Sequence, residues 1–123
     1  MSRIRLVYVA GPYSATNAYA VQHNINKAWE MGCHVADLGA FPVIPHTNTM
    51  HMDGIQPYKF WAEGTMQLMT HCDAVLILDG YIDSRGTKAE IKEAERLKIP
   101  IFYNLEDLEL WLDEQYLPGF KND

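Results

Sequence analysis

Only two cysteines, Cys33 and Cys72, occur in the 123 residues, 39 positions apart and in no CxxC pair. That excludes a disulfide-stapled scaffold and a cysteine zinc site, and both thiols are expected to be buried. No apolar run approaches the roughly 18 to 20 residues of a membrane helix, and the Ile4–Val9 run is too short for a signal-peptide core with no cleavage-like site behind it. The expectation is a cytoplasmic protein without a membrane partner. A Lys/Arg stripe is also missing. With 10 basic against 16 acidic residues the net charge is −6, and the excess lies beyond residue 62. Such a chain is a poor partner for a nucleic-acid polymer, and any phosphate it takes must be held locally. Gly11 stands in no G-x-G-x-x-G, so a dinucleotide fingerprint is absent too.

What remains is ordinary globular material, 48% hydrophobic and 21% charged, enough for one domain across residues 1–123 with a frayed tail at 117–123. Ile4 to Ala10 is apolar and rich in β-branched and aromatic side chains, the pattern of a buried strand, and it stops at the turn sequence Gly11-Pro12-Tyr13-Ser14. Ala18, Val21, Ile25, Trp29, Gly32 and Ala36 recur at helical spacing, with Gly39 as the stop. Ala40 to Ile44 is a short strand whose Pro42 places it at an edge. Pro45 to Gln56 is a long polar loop, and Pro57 opens a helix with Trp61, Gly64, Leu68 and Cys72 inward and with Phe60 and Trp61 either in the core or one of them stacked on a flat ligand. Ala74 to Leu78, the most apolar run, is a central parallel strand. Asp79 to Gly86 is a loop, with Ser84 as N-cap of a helix to about Lys98 that turns Ile91, Ala94 and Leu97 inward. Pro100 to Tyr103 is a strand, and Asn104 caps a last helix with Leu105, Leu108 and Leu112 on one face.

Four strand–helix repeats predict a single α/β domain of flavodoxin or Rossmann-like type. The parallel sheet has order 2-1-3-4 and helices on both faces. Ligands then bind beyond the carboxyl ends of strands 1 and 3, where Gly11–Thr16 and Asp79–Gly86 meet. Ser84, Gly86 and Thr87 would present hydroxyls and amides at a helix N-terminus, an anion site by geometry and dipole, with Arg85 adding charge; an ordinary capped helix fits the spacing as well. His46, His51 and Asp53 fall within eight positions but without helical i, i+4 spacing, so no metal is expected and His46 is assigned to hydrogen bonding in the loop or to lining the ligand pocket.

Three stretches together resemble the nucleoside 2-deoxyribosyltransferase superfamily, which includes 2′-deoxynucleoside 5′-monophosphate N-glycosidases. They are Tyr8-Val9-Ala10-Gly11-Pro12-Tyr13, Cys72-Asp73-Ala74-Val75 and Asp83-Ser84-Arg85-Gly86-Thr87-Lys88-Ala89-Glu90. Pro42-Val43-Ile44-Pro45-His46 resembles a small phage and bacterial branch of it. The motifs are short, but their order and spacing hold from about residue 4 to residue 103. The resemblance implies cleavage of a deoxynucleotide N-glycosidic bond, without cofactor, with Glu90 as nucleophile and Tyr8 hydrogen-bonded to it. It further implies Ser84 at the 5′ oxygen or phosphate, and a second phosphate-binding turn at Gly11 to Ser14. It also implies a homo-oligomer, because such relatives complete their sites with a neighbour's residues. One position departs from the pattern. The Asp that family members carry eight residues before the position of Asp73 is Thr65 here, leaving Glu63 or Asp53 to supply a carboxylate. A nucleotide-binding module without catalysis, or an N-glycosidase of a ribonucleotide or NAD, therefore stay open beside the deoxyribonucleotide reading.

Overall fold

The structure, a computed structural model, describes residues 3–116; the tail expected to fray, 117–123, lies outside them. The elements are β1 (Leu6–Ala10), α1 (Ala18–Asp37), β2 (Phe41–Val43), α2 (Pro45–Asn48), α3 (Tyr58–Met69), β3 (Ala74–Ile77), a 3₁₀ turn (Tyr81–Asp83), α4 (Arg85–Arg96), β4 (Ile101–Phe102) and α5 (Leu105–Gln115). All strand pairs are parallel and the order is β2-β1-β3-β4, as the alternating pattern predicts.

The two faces of the sheet bury separate clusters, because successive side chains of a strand point to opposite sides. Val7, Val9 and Leu76 face one way and pack with Ala28 and Val35 of α1 and Leu108 and Leu112 of α5. Tyr8, Ala10, Val75 and Ile77 face the other way, against Met69 of α3 and Ala94 of α4. Strand β3 is buried along its whole length. Helix starts follow the capping chemistry of the sequence: Asn17, Ser84 and Asn104 each accept a backbone N–H three residues on. Gly39 sits past the end of α1 at φ 93°, the left-handed position that ends the helix. Asp73 ties the start of β1 to the start of β3, accepting the Leu6 N–H at 2.7 Å and pairing with Arg3, whose guanidinium holds the carboxyl below its usual range.

Several side chains depart from the sequence expectation. The inward stripe of α1 is Ile25, Ala28, Gly32 and Val35, so Trp29 is rotated out and 58% exposed, and Ala36 is exposed with it. At Gly32 α1 crosses the chain after β2 closely: a Cβ there would lie 2.2 Å from Ile44 Cδ1. In α3 the buried residue is Met69, while Gly64 and Phe60 are exposed and Trp61 is half-buried. Leu97 and Cys33 are exposed as well, so only Cys72 is a buried thiol. Pro45–Gln56 is not wholly irregular either. Its first four residues form the single turn α2, started by Pro45 with its φ preset for a helix.

Candidate active site

Strands β1 and β3 are neighbours in register, Tyr8 beside Val75 and Ala10 beside Ile77, so the loops leaving their carboxyl ends emerge side by side. The loop after β1 lies tightly on the sheet: a Cβ on Gly11 would fall 2.5 Å from Leu78 Cδ1 and 2.7 Å from Leu78 Cβ. The loop after β3 turns at Gly80, φ 86°, a conformation that favours glycine, and passes through the 3₁₀ turn to Ser84. The segment after β2 comes in from the other side of β1. Together they enclose a cavity of about 660 Å³.

Every sequence-predicted site residue lines this cavity. Tyr8 and Glu90 are at its floor, Gly11 and Ser14 in the turn after β1, His46 in α2, and Ser84, Arg85, Gly86 and Thr87 at the start of α4. Tyr8 is fully buried and its hydroxyl donates to Glu90 Oε2. Burial pushes the Glu90 carboxyl up to about 7, against the hydrogen bond from Tyr8, which pulls it down. Burial, and then the charge of Glu90, push the Tyr8 phenol far above its ordinary range, so it stays protonated and can donate to Glu90. The other acidic residues of α4 point elsewhere: Glu93 forms two bonds with Arg96, at 2.9 and 2.6 Å, and Glu95 is exposed.

At the start of α4 the Ser84 Oγ accepts the Thr87 N–H at 3.2 Å, and the two hydroxyls lie 2.8 Å apart. The Thr87 amide, expected at the ligand, is therefore committed to the helix cap. The Arg85 and Gly86 amides stand at the open end of the helix, where the dipole favours an anion. Thr87 is buried, whereas Arg85 and Ser14 are exposed at the rim.

His46 is 5% exposed, and its Nε2 donates to the Pro12 carbonyl at 2.9 Å, since a carbonyl only accepts. Its Nδ1 is buried without a hydrogen-bond partner, and burial lowers its pKa, so the ring is neutral and ties the segment after β2 to the turn after β1. Tyr13 packs on the same ring, centroids 5.7 Å apart, and its hydroxyl donates to Asp53 Oδ1 at 3.1 Å. Among the described residues no group of three His, Cys, Asp or Glu is gathered that could hold a metal ion, and His46, His51 and Asp53 are not brought together.

Trp61, which the sequence leaves between core and stacking roles, also lines the cavity, and so do Tyr13 and Tyr58, which carry no site assignment from the sequence. Their signal in the sequence was faint: aromatics next to Gly-Pro or Pro read equally well as turn and core residues. Thr65, in place of the family Asp, lies beside the Tyr8 hydroxyl and donates to the Trp61 carbonyl at 3.0 Å, so no carboxylate enters from that turn of α3. Of the two candidates to replace it, Glu63 is exposed and pairs with Lys59 at 3.8 Å, while Asp53 lines the cavity.

No curated protein sequence matches the chain. Among solved structures, the fold is similar to a 2-deoxyribosyltransferase from the psychrotolerant bacterium Bacillus psychrosaccharolyticus, with a TM-score of 0.59 and 15% identity over 95% of this chain and 88% of that one. At that identity the likeness bears on the fold. The family model described as "Domain of unknown function (DUF7768)" matches residues 5–104, a span that runs from the first residues of the sheet to the cap of the last helix, and the chain belongs to that family.

Proposed function

We propose that the protein cleaves the N-glycosidic bond of a 2′-deoxynucleoside 5′-monophosphate, or of the deoxynucleoside, and passes the sugar to water or to another base. The single observation that carries this reading is the pair Tyr8–Glu90: a half-buried carboxyl held by one tyrosine hydroxyl in a cavity whose wall is a capped helix N-terminus. The solved 2-deoxyribosyltransferase of similar fold adds support of a coarser kind.

On this reading the 5′ end lies at Ser84, with the open amides of α4 and Arg85 around a phosphate, and Ser14 on the facing turn. The Glu90 carboxylate attacks C1′. The C1′–N bond breaks, its electron pair leaves with the base, and a glycosyl ester forms. The transition state has oxocarbenium character, which a carboxylate anion beneath the ring stabilises. A sugar without a 2′-hydroxyl reaches that state more readily, so the chemistry needs no metal. The aromatic side chains Tyr13, Tyr58 and Trp61 offer surfaces for a flat base. On the same reading the chain acts as a homo-oligomer, for which exposed Trp29 and Phe41 offer apolar surface; sedimentation at micromolar concentration checks it.

The test is a panel of deoxynucleosides, their monophosphates, ribonucleotides and NAD, followed for free base. Base release from deoxy substrates supports the reading. Release from ribonucleotides or NAD alone, or tight binding of a deoxynucleotide without release, contradicts it.

A further inference from the structure

Retention through a glycosyl ester requires two groups: a nucleophile, and a second carboxyl that takes the proton from the acceptor when the ester is resolved. Glu90 is one. Three described carboxylates line the cavity, Glu90, Asp53 and Asp83, and Asp83 immediately precedes Ser84 on the wall assigned to the 5′ end. Asp53 stands on the other side. It belongs to the segment that follows β2, whereas Ser84 follows β3, and β1 with Tyr8 runs between them. A sugar whose 5′ end is at Ser84 and whose C1′ is over Glu90 turns its base toward Asp53. The acceptor must enter from the side that the base has left, which is again that of Asp53. Gly54, at φ 90°, reverses the chain directly after it. The Tyr13 hydroxyl bonds Oδ1 and leaves Oδ2 for a further partner, and Tyr13 is itself fixed against the buried ring of His46.

We propose that Asp53 is the general base that resolves the Glu90 ester, with Tyr13 as its positioning residue. In this step the acceptor, water or the N–H of a second base, gives its proton to an Asp53 oxygen. The acceptor's lone pair forms the new bond to C1′. The C1′–Oε bond breaks and its electron pair returns to the Glu90 carboxylate. Thr65 takes no part in the proton transfer; it lies beside the Tyr8 hydroxyl. The inference rests on the proposed glycosidase reading.

The experiment uses 4-nitrophenyl 2-deoxyriboside 5′-phosphate, whose leaving group departs without a proton, so ester formation and resolution separate. With Asp53→Asn we expect a burst of about one nitrophenolate per chain and then steady turnover lowered by about 10²- to 10⁴-fold. The sugar phosphate mass should be found on Glu90, and turnover restored by azide, which attacks without losing a proton. Tyr13→Phe should keep the burst and slow only the steady phase, a division that a merely structural role would not produce. Glu63→Gln should behave as wild type. Asp53→Asn with wild-type steady turnover, or with neither burst nor azide rescue, overturns the assignment of Asp53 while wild type still releases nitrophenolate. Should wild type fail to release nitrophenolate, or Glu90→Ala still burst, the glycosidase reading itself falls and this inference with it.

Discussion

The Tyr8 hydroxyl donates to the carboxylate of Glu90 across 82 positions of sequence, in the cavity beyond the strand tips. Tyr8 is held by the sheet and Glu90 by the first turns of α4, so the pair meets only because β1 and β3 are neighbours. Loss of that hydrogen bond should be felt in turnover. A hydrogen bond to a charged group is worth about 1.5 to 3 kcal/mol, so Tyr8→Phe should lower turnover by roughly one to two decades. Steady-state base release measures it, and unchanged turnover would mean that the bond does not serve the reaction.

On the proposed reading, the raised Glu90 carboxyl links activity to pH. A nucleophile must be ionised, so kcat/KM should rise with pH through about 7, and the limb should move to higher pH in Tyr8→Phe, which lacks the donor that favours the charged form. A pH–rate profile flat from 5 to 9 would contradict the assignment.

The same shift bears on stability, with the sign opposite to that of a salt-bridged carboxylate. A carboxyl raised from 4.5 to about 7 on folding binds its proton more tightly in the native state. Folding therefore weakens as pH rises from about 4.5 through about 7, by about 3 kcal/mol at most. Glu90→Gln removes that penalty. Its melting temperature should exceed that of wild type at pH 8 and match it near pH 4.5, as read by thermal unfolding at the two values.

Much of this was legible in the sequence, for identifiable reasons. Ala74–Ile77 is apolar on both faces, which marks a central strand, and Pro42 marks an edge strand because it cannot donate to a ladder. Ser84 and Asn104 signal helix starts through their own side-chain chemistry. Exposure of Trp29 was not legible, since a large apolar residue at i+4 from Ile25 fits the stripe as well as Ala28 does; packing against β1 and β2 chose the smaller residue. Asp53 could be noted but not placed. Its position depends on a segment that runs from β2 to α3 with only the single turn of α2 between, which no periodicity describes.

Close packing at the turn after β1 gives a stability test independent of chemistry. In Gly11→Ala the new methyl would meet Leu78 Cβ, which cannot swing away as a side-chain tip can. Overpacking of this kind costs about 1 to 3 kcal/mol, so denaturant unfolding should show a lower midpoint at unchanged slope. A midpoint equal to wild type would show that the turn gives way freely.

Ser84 caps α4 as well as lining the cavity, so Ser84→Ala should lose about 1 kcal/mol of stability. Beyond that loss, it should raise KM for a deoxynucleoside monophosphate more than for the deoxynucleoside. Equal effects on the two substrates would remove Ser84 from the 5′ end.

The central claim is that Glu90 attacks C1′, and base release by Glu90→Ala beside its binding of a deoxynucleoside monophosphate tests it most directly. The account predicts that base release disappears while the dissociation constant stays within a few-fold of wild type, and that Glu93→Ala, whose side chain is bound to Arg96, keeps normal turnover. Wild-type turnover in Glu90→Ala, or its loss in Glu93→Ala alone, would contradict it.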